Sequence, residues 1–156
     1  MTKPIIYNKD IKAIAKKAET QSISQDELLL IKLENAVETK IQQTCRQMFL
    51  QQFRNKGLFV QIDNGNTFAK GVSQAQRMAL FKRKEAEGSL AGFSDSMMLL
   101  NGKVVFVEFK RIGTPSQINI KPEQQKYCDW LNENGFKAYI TNNPIYFRDI
   151  ILKEFK

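Results

Sequence analysis

Between Gly92 and Arg111 the chain reads GFSDSMMLLNGKVVFVEFKR, two apolar runs joined by Asn101-Gly102. Asn-Gly between apolar runs is the strongest short-range signal for a two-residue hairpin turn, because both turn positions need a positive φ. Such a turn fixes the register of everything that follows it. Leu100 must face Lys103, and stepping outward pair by pair brings Asp95 opposite Glu108. Directly opposed residues point to the same face, with Cβ atoms about 4.5–5.5 Å apart. Lys110 lies two residues beyond Glu108 and shares that face. The turn therefore gathers two carboxylates and an ammonium. Apart from these charges, VVFVEFK is apolar on both faces, which predicts a central strand.

Two opposed acids repel each other and destabilise a sheet. Two arrangements would offset that. Lys110 could neutralise Glu108 in a salt-bridge cluster, or a divalent cation could sit between the acids. Residue content narrows the second arrangement. The chain has no histidine among its 156 residues. That removes Ser-His and Cys-His nucleophiles and imidazole metal sites. A metal here would have oxygen ligands only, which suits a hard ion such as Mg²⁺ or Mn²⁺. Cys45 and Cys128 have no CxxC neighbour and are expected to be free, packed thiols in a reducing cytoplasm.

The 24 Lys and Arg residues outnumber the 16 Asp and Glu, a net charge of +8. Such an excess attracts polyanions, of which nucleic acid is the usual one, although it also serves solubility alone. The length fits about one domain. No run approaches the roughly 18 apolar residues of a membrane span, and MTKPIIYNKDIKAIAKK lacks the apolar core of a signal peptide. A cytoplasmic protein, of bacterial or viral type, is the expectation.

Helix formers cover residues 8–19, and Ser24 with Glu27 makes a capping box. Leu30, Leu33, Val37, Ile41, Cys45 and Met48 recur at helical spacing and predict one long helix from Ser24 to about Phe53, closed by Asn55-Lys56-Gly57. A strand over 58–63, a turn at Asn64-Gly65 and a basic helix over 72–88 come next. After the hairpin and a loop over 113–121, KPEQQKYCDWLNENG predicts a helix with Pro122 in its first turn and Gly135 past its end. KAYIT (137–141) reads as a strand, and Pro144 opens a last helix. Met97, Met98, Tyr127, Trp130 and Tyr139 read as packing residues. A hairpin followed by a helical crossover predicts an α/β fold with a mixed sheet flanked by helices. Residues 1–23 are expected to form an N-terminal helical extension outside the core, with the domain proper over 24–156.

GFSD followed by VVFVEFKR resembles the PD-(D/E)xK nuclease superfamily, whose core is restriction-endonuclease-like. Within it the chain most resembles the virus-type replication-repair nuclease (VRR-Nuc) family. That family has Gly-x-x-Asp before a hydrophobic strand (Gly92, Asp95), Glu-x-Lys (Glu108, Lys110) and a helix starting near Pro-x-Gln. The last is matched by Gln124, with Gln125 as the register alternative. Gly135 closes that helix. Upstream, Glu38 and Gln42 match an acid followed by Gln one turn later, and Asn64-Gly65 matches an Asn-Gly after the first strand. The likeness covers about residues 34–142. Ser94 stands where the family often has Pro, and the family's histidine before the Asn-Gly is missing from VQIDNG.

The resemblance implies a metal-dependent DNA endonuclease, structure-specific or site-specific, leaving 5′-phosphate and 3′-hydroxyl ends. Asp95 and Glu108 would hold Mg²⁺ or Mn²⁺ with the backbone carbonyl of Phe109, and Glu38 is a candidate for the ion's outer shell. Lys110 would orient or activate the attacking water, and Gln124 would hold water or phosphate. Lys70, Arg77, Lys82, Arg83, Lys84, Arg111 and Lys121 flank these residues as candidate phosphate contacts. One site cuts one strand, so cutting two would call for a homodimer or larger homo-oligomer, with the long helix and the N-terminal extension as candidate interface elements. A different class stays open: a basic nucleic-acid-binding module without turnover, its acidic cluster structural. A metal-dependent RNase is a third reading.

Overall fold

The structure, a computed structural model, describes residues 2–62, 71 and 73–156, apart from the Phe81 side chain. Its elements are α1 (Asn8–Ala18), α2 (Gln25–Lys32), α3 (Glu38–Gln52), β1 (Leu58–Gln61), α4 (Gln74–Ala86), β2 (Ser96–Leu100), β3 (Lys103–Phe109), α5 (Pro122–Glu133), β4 (Lys137–Thr141) and α6 (Pro144–Glu154). The fold is α/β, with a four-stranded mixed sheet in the order β1-β2-β3-β4. β1–β2 and β2–β3 are antiparallel, and β3–β4 is parallel, with α5 as the crossover that parallel strands require.

The hairpin forms with the expected register. Asn101 has φ 52° and Gly102 φ 74°, the two positive values of a type I′ turn. Leu100 pairs with Lys103 and the ladder runs on to Ser96 opposite Val107. β3 is interior, paired on both edges. Strand alternation sends Met98, Val105, Val107 and Phe109 to one face. There they pack with Ile41, Cys45 and Phe49 of α3 and Phe147, Ile150 and Ile151 of α6. The other face carries Phe106, Ala138 and Ile140 under Cys128 and Leu131 of α5. Helices on both faces explain why β3 is apolar on both. Phe49, Phe109 and Phe147 are wholly buried, each contributing about 1.5–3 kcal/mol through the area withdrawn from water.

The single long helix is corrected to two. α2 ends at Lys32, Asn35 adopts φ 59°, and α3 begins after Val37. A left-handed residue cannot continue a helix, and Asn is among the few that tolerate that conformation. The apolar series was never one stripe: Leu33 is buried, whereas Val37 is 56% exposed. The break is held from outside. Ile112 N–H donates to the Ala36 carbonyl, and Asn35 N–H donates to Asn8 Oδ1. The Ser24–Glu27 capping box forms within α2.

The expectation that residues 1–23 lie outside the core is also corrected. Ile6 and Ile11 belong to the same buried cluster as the sheet. The β4–α6 connection ties the N-terminal arm down. Asn142 Oδ1 accepts from Ile6 N–H, its Nδ2 donates to the carbonyls of Ile6 and Arg111, and Thr141 Oγ1 donates to the Pro4 carbonyl. Asn143 Nδ2 donates to the Lys3 carbonyl. Both proposed interface elements thus use their apolar faces inside the core.

Elsewhere, β1 stops at Gln61, and Asn64-Gly65 lies outside the described residues. Both cysteines are buried free thiols. Trp130 is 52% exposed, which corrects its placement in the core, while Tyr127 and Tyr139 are half-buried. Among the described residues, no helix is long and apolar enough to cross a membrane.

Candidate active site

Three elements converge on one end of the sheet: the start of β2, the end of β3 and the first turn of α5. Asp95 immediately precedes β2, and its carbonyl accepts from Ile62 N–H at 2.7 Å, extending the β1 ladder by one step. Asp95 N–H donates to Glu108 Oε2, and Phe109 N–H donates to Asp95 Oδ2, both at 3.1 Å. The two acids thus cross-link the strands that carry them. Lys110 Nζ donates to Glu108 Oε1 at 2.8 Å, with Glu108 3% and Lys110 4% exposed.

Gln124 completes the cluster. Its Nε2 donates to Glu108 Oε1, and its Oε1 accepts from Lys121 N–H at 3.0 Å, capping α5. Gln125 instead donates to Asp129 one turn along the same helix. The structure therefore brings Gln124, rather than Gln125, to the acids. Gly92 makes that approach possible. It has φ +83°, and a Cβ there would lie 2.7 Å from Glu123 Cβ and 3.2 Å from Gln124 N. Only glycine lets the GFSD loop pass so close to the first turn of α5. From the opposite face of the sheet, Gln42 Nε2 donates to Ser96 Oγ at 2.7 Å.

Burial dominates the electrostatics. It pushes the Glu108 carboxyl up to about 7, helped by the charge of Asp95 and opposed by Lys110. Asp95 is raised too, again chiefly by burial, against the pull of the Phe109 N–H and of Lys110. The proximity of the two carboxyls favours a proton on Glu108, the more strongly raised of the pair. One buried ammonium faces a buried Glu108 and a half-buried Asp95, which leaves the cluster one positive charge short when both acids are ionised.

This donor set suits a hard cation. Mg²⁺ typically takes one or two carboxylates and completes its shell with waters and phosphate oxygens. Among the described residues, no group of three His, Cys, Asp or Glu side chains forms. Glu38 is accordingly not drawn in: it sits exposed in the first turn of α3. Phe109 follows Glu108 directly, and its N–H is already engaged with Asp95.

The candidate phosphate contacts are placed as follows. Arg77, Lys82 and Arg83 are exposed on α4 and Lys84 is half-exposed. α4 lies in the connection between β1 and β2, which leaves and re-enters where Asp95 sits. Arg83 pairs with Glu87 at 2.8 Å. Lys121 is exposed at the N-cap of α5. Arg111 follows Lys110, with its Nε buried and lacking an acceptor. Lys70 lies outside the described residues.

One feature escaped the sequence reading. Thr39, Gln42, Gln43 and Arg46 of α3 and Phe59 and Gln61 of β1 line a cleft of about 190 Å³ beside the Gln42–Ser96 bond. The i, i+4 spacing of Gln42 and Arg46 was its only trace in the sequence. No family model, curated protein or solved structure matches the chain, so the case for the site rests on these residues and their geometry.

Proposed function

We propose that the protein is a Mg²⁺-dependent endonuclease acting on DNA phosphodiesters, with a restriction-endonuclease-like core of the VRR-Nuc type. The observation that carries this reading is the Asp95–Glu108 pair. Buried Glu108 and half-buried Asp95 are held together and short of positive charge, with a lysine and a glutamine amide aimed at the Glu108 carboxylate. A purely structural ion pair needs one acid, and a second is a cost without a cation. The connectivity adds support: an antiparallel hairpin, a crossover helix and a parallel strand, with helices on both faces.

A bound Mg²⁺ would polarise the scissile phosphate and lower the pKa of its water. Asp95 and Glu108 would hold it, with the Phe109 carbonyl beside them. Lys110, buried against Glu108, would orient the nucleophilic water and offset charge on the phosphate. Gln124 sits at a helix N-terminus, where backbone N–H groups and the helix dipole favour an anion. With no histidine, no neutral imidazole competes as base. Exposed cations on α4 and at Lys121 would hold the substrate's phosphates. Cutting both strands would take two copies of the chain.

A specific observation favours the second reading, a nucleic-acid-binding module without turnover. Both Glu108 oxygens already have hydrogen-bond donors, from Lys110, Gln124 and the Asp95 N–H. Cleavage decides between the two. Linear, flapped and junction DNA, and RNA of matching sequence, are incubated with protein in Mg²⁺ or in EDTA. Cleavage of DNA in Mg²⁺ only, lost in Glu108→Gln, is the expected result. Equal cleavage by Glu108→Gln, or cleavage in EDTA, would remove the reading.

A further inference from the structure

The cleft between α3 and β1 has no part in the metal cluster, yet Gln42, one of its walls, is bonded to Ser96, the residue after Asp95. Arg46 sits about one turn further along α3, about 6 Å from Gln42 along the helix axis. It is exposed and has no hydrogen-bond or ion-pair partner among the described residues. Among the described residues no acid lines the cleft: apart from Phe59, the walls are a hydroxyl, three primary amides and a guanidinium. The acid nearest along α3, Glu38, lies two turns before Arg46. β1 is the edge strand of the sheet, so this side opens to solvent.

One cation among neutral donors, in an open polar cleft, matches an extended phosphodiester backbone better than an enclosed base. We propose that this cleft holds a non-scissile phosphate of the substrate strand, with Arg46 as its positioning residue. The proposal rests on the nuclease reading and extends it by fixing which side of the sheet the substrate strand leaves by. Phosphates on one strand rise about 3.4 Å each along the helix axis. The rise from Gln42 to Arg46 spans about two phosphates, so the Arg46 linkage lies about two beyond the one beside Gln42.

The test is a binding titration in EDTA, from 50 to 200 mM salt, with wild type, Arg46→Gln and Arg46→Lys. Losing one phosphate contact lowers the salt slope by about 0.9 and the affinity roughly eightfold at 0.1 M salt. Arg46→Gln should show both effects with an unchanged melting temperature, and Arg46→Lys should retain most of the slope. A second measurement sets the position. A neutral methylphosphonate is placed at each linkage in turn. At one linkage away from the cut it should weaken wild type but leave Arg46→Gln unaffected. An unchanged slope in Arg46→Gln, or additive losses at every linkage, overturns the assignment of the cleft alone. Failure of the wild-type chain to bind DNA overturns the nuclease reading with it.

Discussion

Stability in the absence of metal should fall as pH rises through the neutral range, contrary to the usual behaviour of surface acids. Glu108 titrates near 7 in the folded protein, against 4.5 for an ordinary glutamate. Between those values the folded state keeps a proton that the unfolded chain has released. Stability then falls by about 1.4 kcal/mol per pH unit. Across the window the loss is about 3 kcal/mol, a large share of a domain's usual 5–15 kcal/mol. Asp95, also raised, steepens the acid end. The window is unusually clean because the chain has no histidine. Asp26, Glu27 and Glu154 are all lowered and stay ionised, while Cys45, Cys128 and Tyr139 are raised and stay neutral. Urea unfolding in EDTA between pH 5 and pH 7.5 reads the slope directly. Glu108→Gln should flatten it. Mg²⁺ should recover stability at the alkaline end, by about 2.7 kcal/mol at a hundredfold excess over its Kd. Stability that stays level or climbs from pH 5 to 7 in wild type would refute a Glu108 carboxyl raised by burial.

Gly92→Ala should cost about 2–4 kcal/mol, from left-handed strain and from overpacking against Glu123, and should lower cleavage by moving Gln124 off Glu108. Urea midpoints and turnover in Mg²⁺ check the two halves. Asn142→Ala should cost about 2–4 kcal/mol, because the Ile6 N–H and the carbonyls of Ile6 and Arg111 lose a buried partner. Thermal melting gives the magnitude, and faster proteolysis near residue 6 locates the effect.

The hairpin and the meeting of Asp95 with Glu108 were legible because they depend on local chemistry. A two-residue turn sets the register, and strand parity does the rest. The helices and strand after the hairpin were legible through Pro122, Gly135 and Pro144, which act on their own neighbours. What failed depends on residues distant in sequence. The break at Asn35 is stabilised by Asn8 and Ile112, and helical periodicity runs straight across it. The arm at Ile6 looked like a loose end because its partner, Asn142, gives no local sign of reaching back. Trp130 misled through composition: an aromatic on an amphipathic helix suggests core, yet Cys128 and Leu131 already fill the face of α5 that meets the sheet.

The lacing of the N-terminal arm has a consequence for the order in which the protein can be made. Ile6 and Asn142 are 136 residues apart, so the arm's anchor is synthesised long after the arm itself. At ribosomal speeds the interval is on the order of ten seconds. Throughout it, Ile6 and Ile11 lack the β4–α6 connection and the α6 side chains that complete their cluster. Contacts of such long span also slow folding after release, because the loop must close before they stabilise anything. A nascent chain of this sequence therefore carries Ile6 and Ile11 untied until Asn142 emerges, and a holding chaperone would find its target there. Helix α1 is made well before the connection that seats it.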